Sequence, residues 1–435
     1  MTTFDEILPK LADIFRLHTA ELQRILPIYV NRDLNGRVRL IVAEQWEEDL
    51  TARAALSAIA EALHEQLGLH AFAVEKAILF EEDLVALEAE CFSSPLEDID
   101  GVRVIDRLAS EGNWSTISPV ATGVPRVVFF SIKGGVGRST ALAASAWYLA
   151  QSGKRVLVLD LDLESPGLSS SLLPNDRRPT YGITDWLVED LVDNGDAVFA
   201  NMIATSTLSH DGDIYVVPAH GVNPGEYVSK LGRAWMPKVA ADGQRESWSQ
   251  RLQRLLNALE ENLRPDVILI DSRAGIDEVA SACVTDLGAV LVLLFAIDGE
   301  QTLSGYRMLF QHWRTTAAVR DIRERLQLVG AVIPELGGAE YFSALRESSW
   351  NLFSEELYDE VAPGEIARGD IWSFDETEEG APHGPWPIRW SRGFAALRSI
   401  HTRLSEIDSD EVENVFGELI VGISRATATQ EMHDD

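Results

Sequence analysis

The chain has 435 residues, 46% of them hydrophobic and 24% charged, which suffices for one large or two moderate domains with substantial cores. Its net charge of −32 repels phosphate backbones on average and argues against broad nucleic-acid or anionic-membrane affinity. The longest apolar run, Gly288 to Ile297, falls well short of the roughly 20 residues of a membrane-spanning helix. "MTTFDEILPK" has no basic stretch leading into an apolar one, so a cytoplasmic protein without a membrane anchor is expected. Cys91 and Cys283 lie far apart, which supports neither a disulfide framework nor a cysteine zinc site.

In chain order, residues 1–122 read as an accessory α+β module. "IYVNRDLNGRVRLIVA" predicts a hairpin turning at Asn35-Gly36 in a type I′ turn. "ARAALSAIAEALHEQLG" places Leu56, Ile59, Leu63 and Leu67 at helical spacing and stops at Gly68. A polar, turn-rich stretch then leads to a second unit, expected over 123–405, with 406–435 forming a C-terminal helix and acidic tail.

From Arg126 the pattern becomes βαβ. "RVVFFSI", "RVLVLDLDL", "DIYVVPA", "DVILIDS", "AVLVLLFA" and "LQLVGAVIP" are continuous apolar runs of the kind buried on both faces of a parallel sheet. Helical stretches such as "STALAASAWYLAQSG" and "SWSQRLQRLLNALEENL" separate them, which predicts a doubly wound, mostly parallel α/β sheet. "EEGAPHGPWPIRW", with His383, Trp386 and Trp390, reads as a loop. The last helix gathers Val412, Val415, Phe416, Leu419, Ile420 and Ile423 on one face, but its polar face is acidic. Docking onto the chain's own core or a dimer mate is expected of it, rather than membrane anchoring.

"SIKGGVGRST", Ser131 to Thr140, follows the first of these strands and opens a helix, the setting in which a phosphate-binding loop is credible. Gly134, Gly135, Val136 and Gly137 present successive backbone N–H groups to phosphate oxygens, and the helix that starts at Arg138, Ser139 and Thr140 adds its dipole. Ser139 is placed to offer its hydroxyl to Mg²⁺. Asp160 and Asp162 end one strand and Asp271 ends another, at the edge where open α/β sheets bind ligands. Asp271, preceded by "VILI", has the form of a Walker B metal ligand.

"KGGVGRST", "DLDLESPGL" and "DSRAG" together resemble the deviant Walker A, switch I and Walker B elements of the ParA/MinD group, within the SIMIBI class of P-loop ATPases. The resemblance covers roughly Arg126 to Pro334. It implies the SIMIBI fold, ATP and Mg²⁺ as cofactors, and an ATP-sandwich homodimer in which Lys133 reaches the partner's phosphates. It further implies that Asp162 orients the attacking water, that Asp160 supports Mg²⁺ with Ser139 and Asp271, and that adenine packs near Pro334 and Glu335. Arg138 departs from the pattern, which has lysine there. A guanidinium is a planar fork rather than a compact point charge, so charge is kept while positioning of the transferred phosphoryl group changes. Arg273 is open to two readings: a charge sensor near the γ-phosphate, or an ion-pair partner of Asp277 or Glu278.

The expected function is a slowly hydrolysing ATP-dependent dimerisation switch acting on a co-encoded partner through the N-terminal module or C-terminal region, in a plasmid-maintenance or anti-phage type of system. The alternative is a non-hydrolysing assembly module.

Overall fold

The computed structural model describes residues 2–96, 99–107, 113–239, 243–361, 371–394 and 400–431. The chain divides into two compact units: Met1–Glu111 with Thr315–Ala317, and Gly112–Arg314 with Ala318–Asp435. The boundary therefore precedes the expected one at 122. The segment from Trp114 onward is tied into the second unit, since Trp313 Nε1 donates to the Trp114 carbonyl at 2.8 Å and Ala121 N to the Gly288 carbonyl at 2.9 Å.

In the first unit, β1 (Ile28–Arg32), β2 (Val38–Ala43), β3 (Ile78–Glu81), β4 (Ser94–Pro95) and β5 (Val102–Asp106) form a mixed sheet in the order β3-β2-β1-β5-β4. One face packs against helices Ile7–Leu17 and Leu50–Leu67 through Val30, Leu40, Val104, Leu11 and Leu56. Asp49 caps the second helix, its carboxylate accepting from the amides of Thr51 and Ala52. The β1–β2 connection corrects the expected type I′ turn, which needs positive φ at both central residues. Here only Gly36 has it, at 77°. Instead the loop Asp33–Arg37 is closed by the Asp33 carboxylate, which accepts from the amides of Asn35 and Arg37, an Asx arrangement that a carboxylate two residues upstream makes available.

The second unit is built on an eight-stranded sheet, and each of the six apolar runs becomes a strand within it. These are β6 (Arg126–Ser131), β7 (Val156–Asp160), β9 (Ile214–Val217), β12 (Val267–Ala274), β13 (Leu291–Ala296) and β14 (Leu326–Ile333). Short strand β8 (Ala204–Thr205) flanks β9, and β10 (Lys238–Val239) pairs with β11 (Arg245–Glu246) as a separate ribbon. With β15 (Trp386–Arg389) at one edge, the order is β15-β14-β13-β6-β12-β7-β9-β8, parallel throughout except β8 against β9. Alternate residues of β6 serve opposite faces: Val128 and Phe130 join one core, Val127 and Phe129 the other, so the run must be apolar throughout. The edge strand β15 (Trp386–Arg389) lies in the stretch expected to be a loop. Its Pro387 sits on the sheet edge, where a missing N–H costs no ladder bond.

The final helix, Ser409–Glu431, buries Val412, Val415, Phe416, Leu419, Ile420 and Ile423 in the same core as β15 and the helix Arg138–Gln151. It is part of the second unit rather than a separate C-terminal segment, because this apolar face is spent on the unit's own core. Among the described residues no helix is long and apolar enough to cross a membrane.

One close approach sets the position of the phosphate-type loop. A Cβ on Gly305, in the helix Glu300–Thr315, would lie 2.4 Å from Ile132 Cγ2. Ile132 is branched at Cβ and cannot step aside cheaply. Gly305→Ala is expected to cost about 1–3 kcal/mol as overpacking and to weaken any ligand of the loop, measured together by thermal unfolding and nucleotide titration. An unchanged melting midpoint would contradict this packing.

Candidate nucleotide site

Because β6, β7, β9, β12, β13 and β14 are parallel, the segments leaving their C-terminal ends share one edge of the sheet, on both sides of the central strand β6. Gly135 and Gly137 adopt φ of 76° and 79°, which turns the chain from β6 into the helix Arg138–Gln151. Gly134 has neither a positive φ nor any atom within 4 Å of a built Cβ. Among the described residues no neighbour requires glycine there, and the Gly134 backbone is open to close approach from outside the chain. Val136 is buried and anchors the loop in the core beneath, while Thr140 is half-buried on the first turn.

Arg138 is turned inward. Its Nε donates to Asp271 Oδ1 at 2.7 Å, Nη1 to Ser131 Oγ at 2.9 Å and Nη2 to Asp162 Oδ2 at 3.1 Å. Ser139 Oγ donates to the other Asp271 oxygen at 2.6 Å. Both oxygens of Asp271 are thus held by consecutive residues of the loop, and Asp271 is registered beside Asp160 across β12 and β7. Asp160, Asp271 and Arg138 are all buried. Burial pulls the Arg138 pKa down, but Asp271 and Asp162 beside it more than offset this, and the net direction is up. Arg138 is therefore a permanent cation in this cluster.

Asp162 shows the opposite balance. Burial raises its pKa, Arg138 lowers it, nearby Asp271 raises it again, and the net shift is upward from 3.8. Its Oδ1 is buried with no hydrogen-bond partner. An acid whose folded pKa is raised gains stability while protonated, and this contribution is lost as pH rises through the folded value. Asp162→Asn is accordingly expected to raise the melting midpoint at pH 7, with the gain disappearing near pH 3.8. A variant no more stable than wild type at pH 7 would contradict the burial cost.

These observations fit a magnesium nucleotide: an open glycine cradle, a hydroxyl and a strand-end carboxylate 2.6 Å apart, and an unpartnered buried carboxylate oxygen. Among the described residues no group of three or more His, Cys, Asp or Glu is arranged to hold a metal ion alone. Magnesium ordinarily takes one or two protein ligands and fills the rest with water and phosphate, so this suits the cluster.

Lys133 is exposed and makes no ion pair among the described residues. Arg273 pairs with Glu164 at 2.5 Å and with Asp277 at 3.3 Å, which realises the ion-pair reading and adds a partner that spacing did not suggest. Pro334 follows a bulged end of β14 at which Val332 has φ 56°, a strained conformation for a β-branched residue. Val332 Cγ2 lies 4.0 Å from the Cβ position of Gly137, so this strand end borders the loop. Pro334, Glu335, Phe342 and Trp390 line a cleft of 470 Å³ there. His383 is elsewhere, buried between the Tyr358 hydroxyl and the Glu376 carbonyl, and serves packing. Ser131 and Tyr227 also belong to the site region; Ser131 was legible as the residue ending the strand before the loop, whereas Tyr227 carries no sequence signal.

The fold and this loop define a P-loop protein of the SIMIBI class. The family described as the CobQ/CobB/MinD/ParA nucleotide binding domain matches residues 127–361, more than half of the chain, and the chain belongs to that family. The septum site-determining protein MinD of Escherichia coli K12 is 24% identical over 301 residues, covering 67% of this chain and 91% of MinD. MinD of Buchnera aphidicola from Schizaphis graminum is 28% identical over 206 residues, covering 47% of this chain and 58% of that protein. Among solved structures, pNOB8 ParA is similar over 72% of this chain and all of its own, with 16% identity and a TM-score of 0.44.

Proposed function

We propose that this chain binds Mg·ATP at Gly134–Thr140 and uses it as a dimerisation switch whose turnover is slowed by Arg138. The observation that carries the reading is the Arg138 bridge. One guanidinium occupies both Asp271, the expected metal carboxylate, and Asp162, the expected water-orienting carboxylate. Bound Mg²⁺, held by Ser139 and through water by Asp271 and Asp160, would supply charge neutralisation at the β- and γ-phosphates.

Arg138 then has to exchange partners: it leaves Asp271 to the metal and turns to phosphate oxygens, which accept a guanidinium as well as a carboxylate does. The conformer that binds nucleotide is a minority one in the free protein, so apparent affinity falls by its fractional population. Asp162, released from Arg138, becomes able to accept a proton from an attacking water, and its raised pKa favours that. Pro334, Glu335 and Trp390 form the cleft for the base, and 470 Å³ is within the range of small-molecule sites.

Dimerisation is supported by the same edge. Lys133 is exposed on the segment that follows β6, and Val222, Val228, Ile276 and Leu336 are apolar residues exposed on segments that follow β9, β12 and β14. Exposed apolar groups around a charged site mark a surface for association. Light scattering with Mg·ATP and with Mg·ADP tests the reading: a dimer with ATP and a monomer with ADP is expected, and a nucleotide-independent state refutes it. The Arg138 bridge also favours a second reading, in which nucleotide drives assembly without hydrolysis. Phosphate release decides it, since no turnover in wild type and no gain in Arg138→Lys would select assembly alone.

A further inference from the structure

The loop that carries Asp162 is also held by an element outside the phosphate-type loop. Tyr227 begins the helix Tyr227–Ala234, and its hydroxyl donates to the Leu163 carbonyl at 2.7 Å. Leu163 follows Asp162 directly and is fully buried, so this bond holds the Leu163–Glu164 peptide, one residue beyond the Asp162 side chain. The phenol is fixed in turn. Thr184 Oγ1 donates to it at 3.4 Å, and its ring meets His220 edge-on at 5.3 Å between centroids, while His220 Nδ1 contacts the Gly221 carbonyl at 2.7 Å.

The same helix is locked to its neighbour by Lys230 against Asp185 at 2.5 Å. Its next residue, Val228, points the other way and is 84% exposed. One short element therefore presents an apolar side chain to solvent and a hydroxyl to the Asp162 loop. Further ties of that loop are the Leu161 amide to the Asp271 carbonyl, the Ser165 amide to the Asp162 carbonyl, Arg138 on the Asp162 side chain, and Arg273 on Glu164. If Arg138 leaves Asp162, the Ser165 amide on the Asp162 carbonyl and the Tyr227 hydroxyl on the next carbonyl are what still hold the backbone under the carboxylate.

We propose that Tyr227 is a positioning residue: through the Leu163 carbonyl it steadies the loop that carries Asp162. The inference rests on the reading of Asp162 as the water-orienting carboxylate, but the mechanical link stands on the contacts alone. Burial pushes the phenol pKa up to about 12, with Asp160, Asp185 and Asp162 adding to the rise and Thr184 opposing it. The group accordingly stays a hydrogen-bond donor at all physiological pH values.

Tyr227→Phe removes the hydroxyl and keeps the ring on His220. In the full-length protein, two measurements separate the link from the function. Amide hydrogen exchange across 162–168, without nucleotide, is expected to quicken about 3- to 10-fold, the size of one lost hydrogen bond, with exchange in β6 and β13 unchanged. Phosphate release is expected to lose kcat by a similar factor with KM for ATP unchanged, because the loop orients water and does not hold the nucleotide. Thr184→Val, which leaves the Leu163 bond intact, is expected to change neither quantity. Unchanged exchange in Tyr227→Phe overturns the proposal whether or not the protein hydrolyses ATP. A wild type without phosphate release sinks the hydrolysis reading and leaves the exchange result to decide the link. A drop in kcat with a matching rise in KM would assign Tyr227 to folding of the site rather than to Asp162.

Discussion

Arg138→Ala lowers the stability of the ligand-free second unit by about 3 kcal/mol, the order expected when one member of a buried ion pair is removed. The loss is large because a single side chain serves two carboxylates: Asp271, whose side chain is 1% exposed, and Asp162, whose side chain is 16% exposed. With the guanidinium gone, Asp271 keeps, among the described residues, the Ser139 hydroxyl, and Ser131 Oγ loses the Arg138 donor. The variant should also respond more strongly to Mg²⁺. Mg²⁺ alone raises its melting midpoint more than that of wild type, because a divalent cation then meets unpaired negative charge without having to displace an arginine. Thermal unfolding with and without Mg²⁺ reads both effects. Equal stability and equal Mg²⁺ response in the two proteins would mean that the bridge has no energetic content.

Lys133→Ala gives the opposite phenotype, an intact fold with a lost association. Lys133 is exposed and makes no ion pair within its own chain among the described residues, so the substitution should stay within about 0.5 kcal/mol of wild-type stability. Binding of Mg·ATP should change little, since the cradle of Gly134–Thr140 is untouched. Dimerisation with ATP should fall by about tenfold or more, as expected for removing a charge-assisted contact to phosphate across an interface. Light scattering and nucleotide titration on the same sample separate the two properties. A variant that dimerises like wild type would remove Lys133 from the interface.

Much of the second unit was legible because its sequence obeys one rule at a time. β6, β7 and β13 are buried throughout and apolar between their ends, and the phosphate loop sits where a strand meets a helix. The strand β15 was hidden because its four residues include Pro387 and adjoin a Pro/Gly-rich stretch; only pairing with β14 makes it a strand. The same limit explains the hairpin loop, where the Asp33 carboxylate outweighs the Asn35-Gly36 pair. At the site, residue types and chain order placed Asp160 and Asp271 on one edge of the sheet, and the pairing of β7 with β12 is what sets them side by side. Spacing could not show the direction in which Arg138 points. That depends on two carboxylates 24 and 133 residues away, whose pull on a long side chain exists only after the sheet has formed. Tyr227 lies 64 residues from Leu163 and binds a backbone atom, an interaction that leaves no trace in residue pattern.

The account depends on whether the loop takes nucleotide despite the Arg138 bridge, and titration calorimetry of the full-length chain with ATP, with and without Mg²⁺, answers this directly. A single saturable site per chain, tightened by Mg²⁺ and tightened further in Arg138→Lys, is the predicted result. Absence of saturable binding up to the millimolar range, in both proteins and in the presence of Mg²⁺, would contradict it.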